Sequence, residues 1–210
     1  CCQRMAFAPQ IMPFNDWHSA VGTLLLRTTY AWDRLFQGAR SVLTIHNVGY
    51  QGVIAANALP EVLPGGAAMF DQAELALGRI GLLRTGIHYA DLISTVSPTY
   101  AREIQSPEYG MGLDAELRSR ADTLVGVLNG VDYDEWDPRH DRFLPRHYDP
   151  DRLGAKASLK LELQQRLALG ANGPLIGIVS RLVAQKGFDL LFDALPRLLQ
   201  RRAFNLVVLG

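Results

Sequence analysis

The feature of this sequence that most constrains its fold is an alternation of short apolar runs with longer amphipathic segments. Five apolar runs are predicted to be strands: 41–46, 92–96, 124–128, 175–179 and 204–209. Six segments are predicted to be helices: 18–30, 73–89, 98–105, 112–121, 152–169 and 187–202. Strands separated by helices need crossover connections and a mostly parallel sheet, and strands that are nearly all apolar fit burial on both faces. The sequence therefore predicts an α/β fold.

Three residues indicate where predicted helices begin or are disturbed. Ser97 precedes Pro98, an arrangement typical of an N-cap followed by proline at the first helical position. Asp16 is well placed to cap the helix predicted from residue 18. Pro196 lies inside the last apolar helical stripe, and we expect it to kink that helix or to end its first part.

The composition excludes several classes of protein. Hydrophobic residues make up 48% of the 210 residues, which is enough for a sizeable core and too much for a disordered chain. The 21 basic and 21 acidic residues cancel, so no overall field attracts nucleic acid or an anionic membrane. No apolar run approaches the roughly 20 residues that span a bilayer. The two cysteines, Cys1 and Cys2, are adjacent, so they predict neither a disulfide framework nor a metal site and fit a reducing cytoplasm.

A domain boundary is predicted after Gly130. The segment 131–150 is rich in charged residues, histidine and proline, and a new apolar strand begins at Leu175. We therefore expect one α/β unit over 1–130 and a second over 131–210 that contains only two strands. The chain starts at Cys1 without methionine and ends on an apolar strand followed by Gly210, so both ends are interpreted as lying inside a longer protein.

Two polar clusters of the first unit are candidates for ligand binding. The first cluster, at the start of a predicted helix, supplies Asp16 and His18. The second cluster supplies His46, Asn47, Tyr50 and Gln51. The second cluster directly follows a predicted strand, and open α/β sheets bind ligands at the carboxyl ends of their strands. A neutral imidazole can hydrogen-bond a hydroxyl group, and a tyrosine ring and a glutamine amide suit a carbohydrate. Taken alone, the first cluster could equally be a packed helix start, and the second is more readily explained as an ordinary turn.

Two further clusters lie at the boundary and in the second unit. Asn129 follows a predicted strand, although Asn-Gly is first of all a turn signal. Arg181 and Lys186 lie between a predicted strand and a predicted helix. Arginine binds phosphate oxygens in pairs, lysine adds a mobile charge, and a helix N-terminus favours anions. This cluster predicts a diphosphate site, with two solvated surface cations as the alternative.

Several catalytic motifs are absent from the 210 residues. There is no phosphate-binding P-loop, no G-x-S-x-G elbow, no H-E-x-x-H helix and no G-x-G-x-x-G loop. No pair of carboxylates stands out as the acid and nucleophile of a glycoside hydrolase. A sugar donor with a diphosphate leaving group needs cations rather than a strong general acid, and these loops suit that chemistry.

Taken in order along the chain, these clusters resemble bacterial glycogen synthases and plant starch synthases. The matching segments are 16–18, 44–47, 50–52, 90–91, 97–103, 109–113, 127–132, 180–182 and 185–187. Any one of them is weak evidence, but the ordered set is specific.

The resemblance implies a GT-B glycosyltransferase with two Rossmann-like domains that have parallel sheets, both incomplete in this chain. Residues 1–130 would be the C-terminal part of the N-terminal starch synthase catalytic domain. Residues 131–210 would be the hinge and the start of the C-terminal nucleotide-sugar-binding domain. Such enzymes transfer glucose from ADP-glucose to the non-reducing end of an α-1,4-glucan such as glycogen, with retention, and need no metal or other cofactor.

The resemblance also implies a role for each candidate residue. Arg181 and Lys186 would hold the diphosphate of ADP-glucose and, with His18, carry catalysis. Asn129 would contact the transferred glucose. The remaining candidates would bind substrate: Asp16, His46, Asn47, Tyr50 and Gln51. Of these, His46, Tyr50 and Gln51 would line the acceptor side.

The sequence also departs from the family pattern. The Lys-x-Gly-Gly-Leu and Glu-Pro-Cys-Gly-Leu segments of these synthases are absent, and Asn15 stands where many members have histidine. The leading hypothesis is thus a cytoplasmic glycogen synthase fragment that is inactive when expressed alone. The alternatives are another retaining GT-B glycosyltransferase with a different donor or acceptor, or a non-catalytic glucan-binding remnant.

Overall fold

A computed structural model describes residues 2–171 and 173–210, and the chain divides into two units, Cys1–Gly130 and Val131–Gly210. The strands are β1 (Ile11–Asn15), β2 (Arg40–Ile45), β3 (Val53–Ala55), β4 (Arg79–Gly81), β5 (Leu92–Thr95), β6 (Leu124–Gly126), β7 (Leu175–Val179) and β8 (Asn205–Leu209). The α-helices are α1 (Cys2–Met5), α2 (Asp16–Arg27), α3 (Leu59–Val62), α4 (Gln72–Ala76), α5 (Leu82–Tyr89), α6 (Pro98–Glu103), α7 (Asp114–Ser119), α8 (Gly154–Arg166) and α9 (Phe188–Arg201).

The first unit is built on a four-stranded sheet in the order β1-β2-β5-β6. All three pairings are parallel, with Ile11 opposite Arg40, Val42 opposite Leu92 and Ile93 opposite Leu124. The carboxyl ends of the four strands therefore meet at one edge of the sheet. The short strands β3 and β4 pair antiparallel in a separate ribbon.

The core of the first unit lies between this sheet and its helices. Leu43 and Ile93 from the strands are fully buried, as is Leu83 from α5. The helices α2 and α5 approach closely, because a Cβ atom at Gly86 would lie only 2.6 Å from the Cβ atom of Ala20. Because α2 starts directly after the last residue of β1, its N-terminal end lies at the carboxyl edge of the sheet.

The second unit contains a βαβ crossover. Strands β7 and β8 are parallel, with Leu175 opposite Asn205 and Val179 opposite Leu209, and α9 connects them. The segment 180–187 leaves the carboxyl end of β7 and leads into α9.

The α/β class with a parallel sheet is confirmed, and all five predicted strands are present. Ser97 caps α6 as predicted, its Oγ atom accepting a hydrogen bond from the backbone N–H of Tyr100 at 2.8 Å. The helix α9 runs on through Pro196, so of the two expected effects of this proline, a kink or an end of the first part, the second does not occur. The strands β1, β3 and β4 were not predicted. Pro13 lies within β1, and a proline is tolerated there because β1 is an edge strand of the sheet.

The single helix predicted over 73–89 is wrong. The chain forms α4, turns at Gly78, passes through β4 and then starts α5. Gly78 has a φ of 72°, which residues in the interior of a right-handed helix do not adopt. Apolar residues continue across this turn, so their spacing resembles that of one helix.

None of the helices in the two described ranges combines the length and the apolar character that crossing a lipid bilayer requires.

Candidate functional site

The candidate residues of the first unit lie where β1 and β2 end. Asn15 is the last residue of β1, Asp16 and His18 open α2, and His46 follows β2. Because β1 and β2 are adjacent and parallel, the sheet brings the two clusters together.

Asp16 connects the two clusters directly. Its Oδ1 atom accepts a hydrogen bond from the backbone N–H of His46 at 2.8 Å and a longer one from that of Asn47 at 3.4 Å. Its φ of 50° lies in the left-handed region, which a residue with a side chain adopts at a cost. The prediction that Asp16 caps α2 is therefore wrong, since its carboxylate reaches across to the loop after β2. The N-cap is Asn15, whose side chain makes no capping hydrogen bond.

Both histidines are exposed at this edge and held by neighbours. The Nε2 atom of His46 lies 3.0 Å from the Oδ1 atom of Asn15. The ring of His18 stacks on that of Trp17, with centroids 3.9 Å apart. Trp17 in turn packs against the backbone of Gly52, where a Cβ atom would lie 2.4 Å from its ring. The start of α2 and the loop after β2 thus form one packed surface.

The loop after β2 is ordered by its own polar groups. The side-chain oxygen of Asn47 accepts a hydrogen bond from the backbone N–H of Gly49 at 2.9 Å. Gln51 donates from its side-chain nitrogen to the carbonyl oxygen of Met111 at 2.8 Å, and its own carbonyl accepts from Leu83 at 3.0 Å. Tyr50 remains 48% exposed. The amide of Gln51 thus has a structural partner as well as a predicted binding role.

Asn129 follows β6, the fourth strand of the same sheet, and is exposed. The strand continues its pairing one residue further, because Val127 donates its backbone N–H to the carbonyl oxygen of Thr95 at 2.8 Å. Asn129 therefore leaves the same carboxyl edge, three residues beyond the last residue of β6.

Arg181 and Lys186 occupy one loop of the second unit, at the carboxyl end of β7. Lys186 ends the short 3₁₀-helix Ala184–Lys186, and Gly187 then leads into α9. Backbone hydrogen bonds order the loop, with Val183 donating to Arg181 at 2.9 Å and Lys186 donating to Val183 at 3.0 Å. Both cationic side chains are exposed beside the N-terminus of a 14-residue helix.

Three residues around the first cluster were missed. Tyr100 accepts a hydrogen bond on its hydroxyl oxygen from the backbone N–H of Val48 at 3.1 Å. Ser19 accepts from the backbone N–H of Asn15 at 2.6 Å, and Asn15 itself contacts His46. No sequence signal assigns these partners to Tyr100, Ser19 or Asn15, because each contact depends on how the strands and helices pack. Within the described ranges, no group of three or more His, Cys, Asp or Glu side chains could hold a metal ion.

Comparison with known proteins adds independent evidence on this arrangement. The family model of the starch synthase catalytic domain matches residues 1–119. The chain belongs to the starch synthase catalytic domain family.

Relatives of this family match nearly the whole chain. The glycogen synthase of Lactococcus lactis is 40% identical over 211 residues, which is 99% of this chain and 44% of that protein. The glycogen synthase of Anaeromyxobacter dehalogenans is 44% identical over 209 residues, 98% of this chain and 44% of its own length. The chain thus spans less than half the length of these curated relatives.

A solved structure of the family matches as well. The catalytic domain of starch synthase IV from Arabidopsis thaliana, bound to ADP and acarbose, has a TM-score of 0.86 and 31% sequence identity. The match covers 99% of this chain and 43% of that one. The family-model match contains the candidates of the first two clusters, while Asn129, Arg181 and Lys186 lie beyond residue 119. The individual roles of all nine candidates remain predictions.

Proposed function

We propose that this chain is part of a glycogen synthase that transfers glucose from ADP-glucose to the non-reducing end of an α-1,4-glucan, with retention. The observation that carries this proposal is the match of 99% of the chain to a starch synthase catalytic domain bound to ADP and acarbose. Glycogen synthases that are 40% and 44% identical to the chain support glycogen as the product. The adjacent Cys1 and Cys2 fit a reducing cytoplasm as the location of the reaction.

In this proposal, the loop 180–187 binds the diphosphate of the donor. Arg181 and Lys186 supply two positive charges beside the N-terminus of α9, where backbone N–H groups also favour an anion. As the bond between glucose and the diphosphate breaks, negative charge increases on the leaving group, so the two cations stabilise the transition state more than the bound donor. ADP-glucose is here a substrate, and the reaction needs no further cofactor.

The carboxyl edge of the first sheet would bind the glucose and the acceptor. His18 and Asn129 are assigned to the transferred glucose, and His46, Tyr50 and Gln51 to the glucan. Asp16 supports these assignments indirectly, because its hydrogen bonds hold the backbone of His46 and Asn47 in place. Exposed imidazole, amide and hydroxyl groups can exchange hydrogen bonds with sugar hydroxyls.

A chimaera tests the proposal. Residues 1–210 replace the aligned span of the Lactococcus lactis glycogen synthase, and incorporation of glucose from ADP-glucose into glycogen is measured. We expect activity, and we expect Lys186→Ala to lower kcat/KM for ADP-glucose by about tenfold or more, because a charge-assisted contact is worth about 1.5–3 kcal/mol. Binding to glycogen should change less than about twofold, since the lysine is assigned to the donor.

Two matched variants serve as controls for Lys186→Ala. Lys186→Arg keeps the charge and should retain most donor affinity, whereas Arg197→Ala removes an exposed positive charge from α9 itself and should have little effect. An inactive but folded chimaera would contradict the proposed activity. Unchanged kinetics with ADP-glucose in Lys186→Ala would contradict the diphosphate role alone.

A further inference from the structure

The segment 105–112, which we call the α6–α7 loop, is fixed at both ends by the core. Ile104 before it and Leu113 after it are both fully buried. Inside the loop, the carbonyl oxygen of Ser106 accepts hydrogen bonds from Tyr109 at 3.2 Å and from Gly110 at 2.8 Å. A Cβ atom at Gly110 would lie 2.7 Å from the carbonyl oxygen of Ile104, so only glycine permits this close return. The loop therefore has a defined backbone conformation.

Side chains from three other segments hold the same loop from outside. Gln51 donates to the carbonyl oxygen of Met111 at 2.8 Å, and Arg84 of α5 donates to that of Gly112 at 3.0 Å. Arg84 also forms an ion pair with Glu116 of α7. Arg118 of α7 donates to the carbonyl oxygen of Gln105 at 2.6 Å. The hydrogen bond from Gln51 joins the α6–α7 loop to the loop after β2.

The joined loops expose three large side chains with apolar surfaces. Tyr109 is 50% exposed and Met111 59%, and Tyr50, next to Gln51, is 48% exposed. The neighbouring carboxylate of Glu108 raises the pKa of the Tyr109 phenol above its usual value. Exposed apolar groups on ordered loops that a hydrogen bond joins are typical of binding surfaces.

We propose that Tyr50, Tyr109 and Met111 form one surface that binds the acceptor α-glucan, with Tyr109 and Met111 as residues not previously assigned to it. This inference rests on the proposed function and extends its acceptor site beyond the loop after β2. A pyranose presents C–H groups on its ring faces and hydroxyl groups at its rim, so an aromatic ring can pack on the sugar face while its hydroxyl makes a hydrogen bond.

The neighbouring charges favour a neutral glucan over a phosphate at this surface. Arg84 is engaged by Glu116 and the carbonyl oxygen of Gly112, and Arg118 by Asp114 and the carbonyl oxygen of Gln105. These guanidinium groups thus hold the loop itself, and Glu108 adds a negative charge beside Tyr109. Because the loop is ordered in advance, binding a glucan there loses little conformational entropy.

Maltoheptaose binding to the full 210-residue chain tests this surface. Its dissociation constant is measured by NMR titration or calorimetry for the unaltered chain, Tyr109→Ala and Met111→Ala, with circular dichroism to verify folding. We expect Tyr109→Ala to weaken binding by about three- to tenfold, the range that a single aromatic contact contributes. Tyr109→Phe should retain most of the affinity, because it keeps the ring. Equal affinity of the unaltered chain and both alanine variants would overturn the proposal.

A control variant distinguishes binding at this surface from nonspecific binding of maltoheptaose to exposed aromatic side chains. Trp32 is 74% exposed and lies between α2 and β2, at the opposite edge of the sheet, so Trp32→Ala should leave maltoheptaose binding unchanged. A loss in Trp32→Ala as large as that in Tyr109→Ala would also contradict the assignment.

Kinetics of the chimaera distinguish this inference from the proposed function. Tyr109→Ala should raise the KM for maltoheptaose by about three- to tenfold and leave the KM for ADP-glucose within about twofold. A chimaera that transfers glucose with an unchanged acceptor KM would refute the surface while leaving the proposed function intact. A chimaera that transfers no glucose would count against the proposed function, and the maltoheptaose affinities of the chain would still decide the surface.

Discussion

At the scale of single residues, Asp16 combines a costly backbone conformation with an unusual task. A φ of 50° is rare for a residue with a side chain, and such strain persists where the surroundings require it. Here the strained conformation directs the carboxylate to the backbone N–H groups of His46 and Asn47. Asp16 therefore sets the position of the loop after β2 relative to the start of α2.

Replacing Asp16 with glycine separates the strain from the hydrogen bonds. Glycine adopts a positive φ without strain, so the relief should offset part of the lost hydrogen bonding and keep the free energy of unfolding within about 1 kcal/mol. Transfer of glucose by the chimaera should nevertheless fall by about tenfold or more, because small displacements of site residues are costly. Urea unfolding of the chain and the kcat of the chimaera provide the two measurements.

Asp16→Asn is the matched control, since asparagine keeps an acceptor oxygen and tolerates a positive φ. It should retain more activity than Asp16→Gly. If Asp16→Gly transferred glucose as fast as the unaltered chimaera, Asp16 would have no positioning role.

At the scale of elements, α9 contains a proline in its interior. Pro196 is the ninth of its 14 residues. Because proline has no N–H group, the hydrogen bond to the carbonyl four residues earlier is missing at this position. An interior proline costs about 3 kcal/mol relative to alanine in an isolated helix. Because Pro196 is exposed, alanine fits there without a clash with the core.

We therefore expect Pro196→Ala to stabilise the second unit by about 1–3 kcal/mol, less than or equal to the cost in an isolated helix. Thermal unfolding followed by the fluorescence of Trp136, in a chain with Trp17 and Trp32 replaced by phenylalanine, measures this unit. Arg197→Ala, at the next position, should change stability by less than about 0.5 kcal/mol. A lower unfolding temperature in Pro196→Ala would contradict the expectation.

The elements differ in how far the sequence determines them. The strands β2, β5 and β7 could be predicted because each is a short run rich in apolar and β-branched residues between polar or turn residues. The strand β1 could not, because Pro13 lies within it and alternate residues are exposed, a pattern that only its place at the sheet edge explains. The break at Gly78 was hidden because apolar residues continue on both sides of it.

The same difference applies to the site. The edge that carries the candidates could be predicted, because parallel strands end together. The contact between Asn15 and His46 depends on the pairing of β1 with β2, and the reach of Asp16 depends on its positive φ. Neither long-range property can be derived from local spacing.

At the scale of the whole molecule, a net charge of zero conceals carboxylates whose pKa is held low in both units. In the first unit, burial raises the pKa of Asp91, but hydrogen bonds from Ser41 and Arg40 and the charge of Arg27 outweigh it and lower the pKa. In the second unit, hydrogen bonds from the side chain and backbone of Arg139 lower the pKa of Asp137 to about 2.

These two carboxyl groups predict how the stability of the chain depends on pH. Each binds a proton more readily in the unfolded chain, where its pKa is near 3.8, than in the folded chain. Their contribution is therefore complete above the unfolded value and is lost as the pH falls through the folded value. We expect the free energy of unfolding in urea to be insensitive to these groups above about pH 5 and to decrease from about pH 4 towards pH 2.

The variants Asp91→Asn and Asp137→Asn assign the loss of stability to the individual units. Each should be less stable than the unaltered chain at pH 7 and should lose less stability on acidification, because asparagine cannot be protonated in this range. In a Trp136→Phe background, fluorescence reports only the first unit, so Asp91→Asn should reduce the pH dependence of that signal while Asp137→Asn leaves it unchanged. If the free energy of unfolding decreased equally between pH 5 and pH 3 in Asp91→Asn and in the unaltered chain, the pKa of Asp91 would not be lowered on folding.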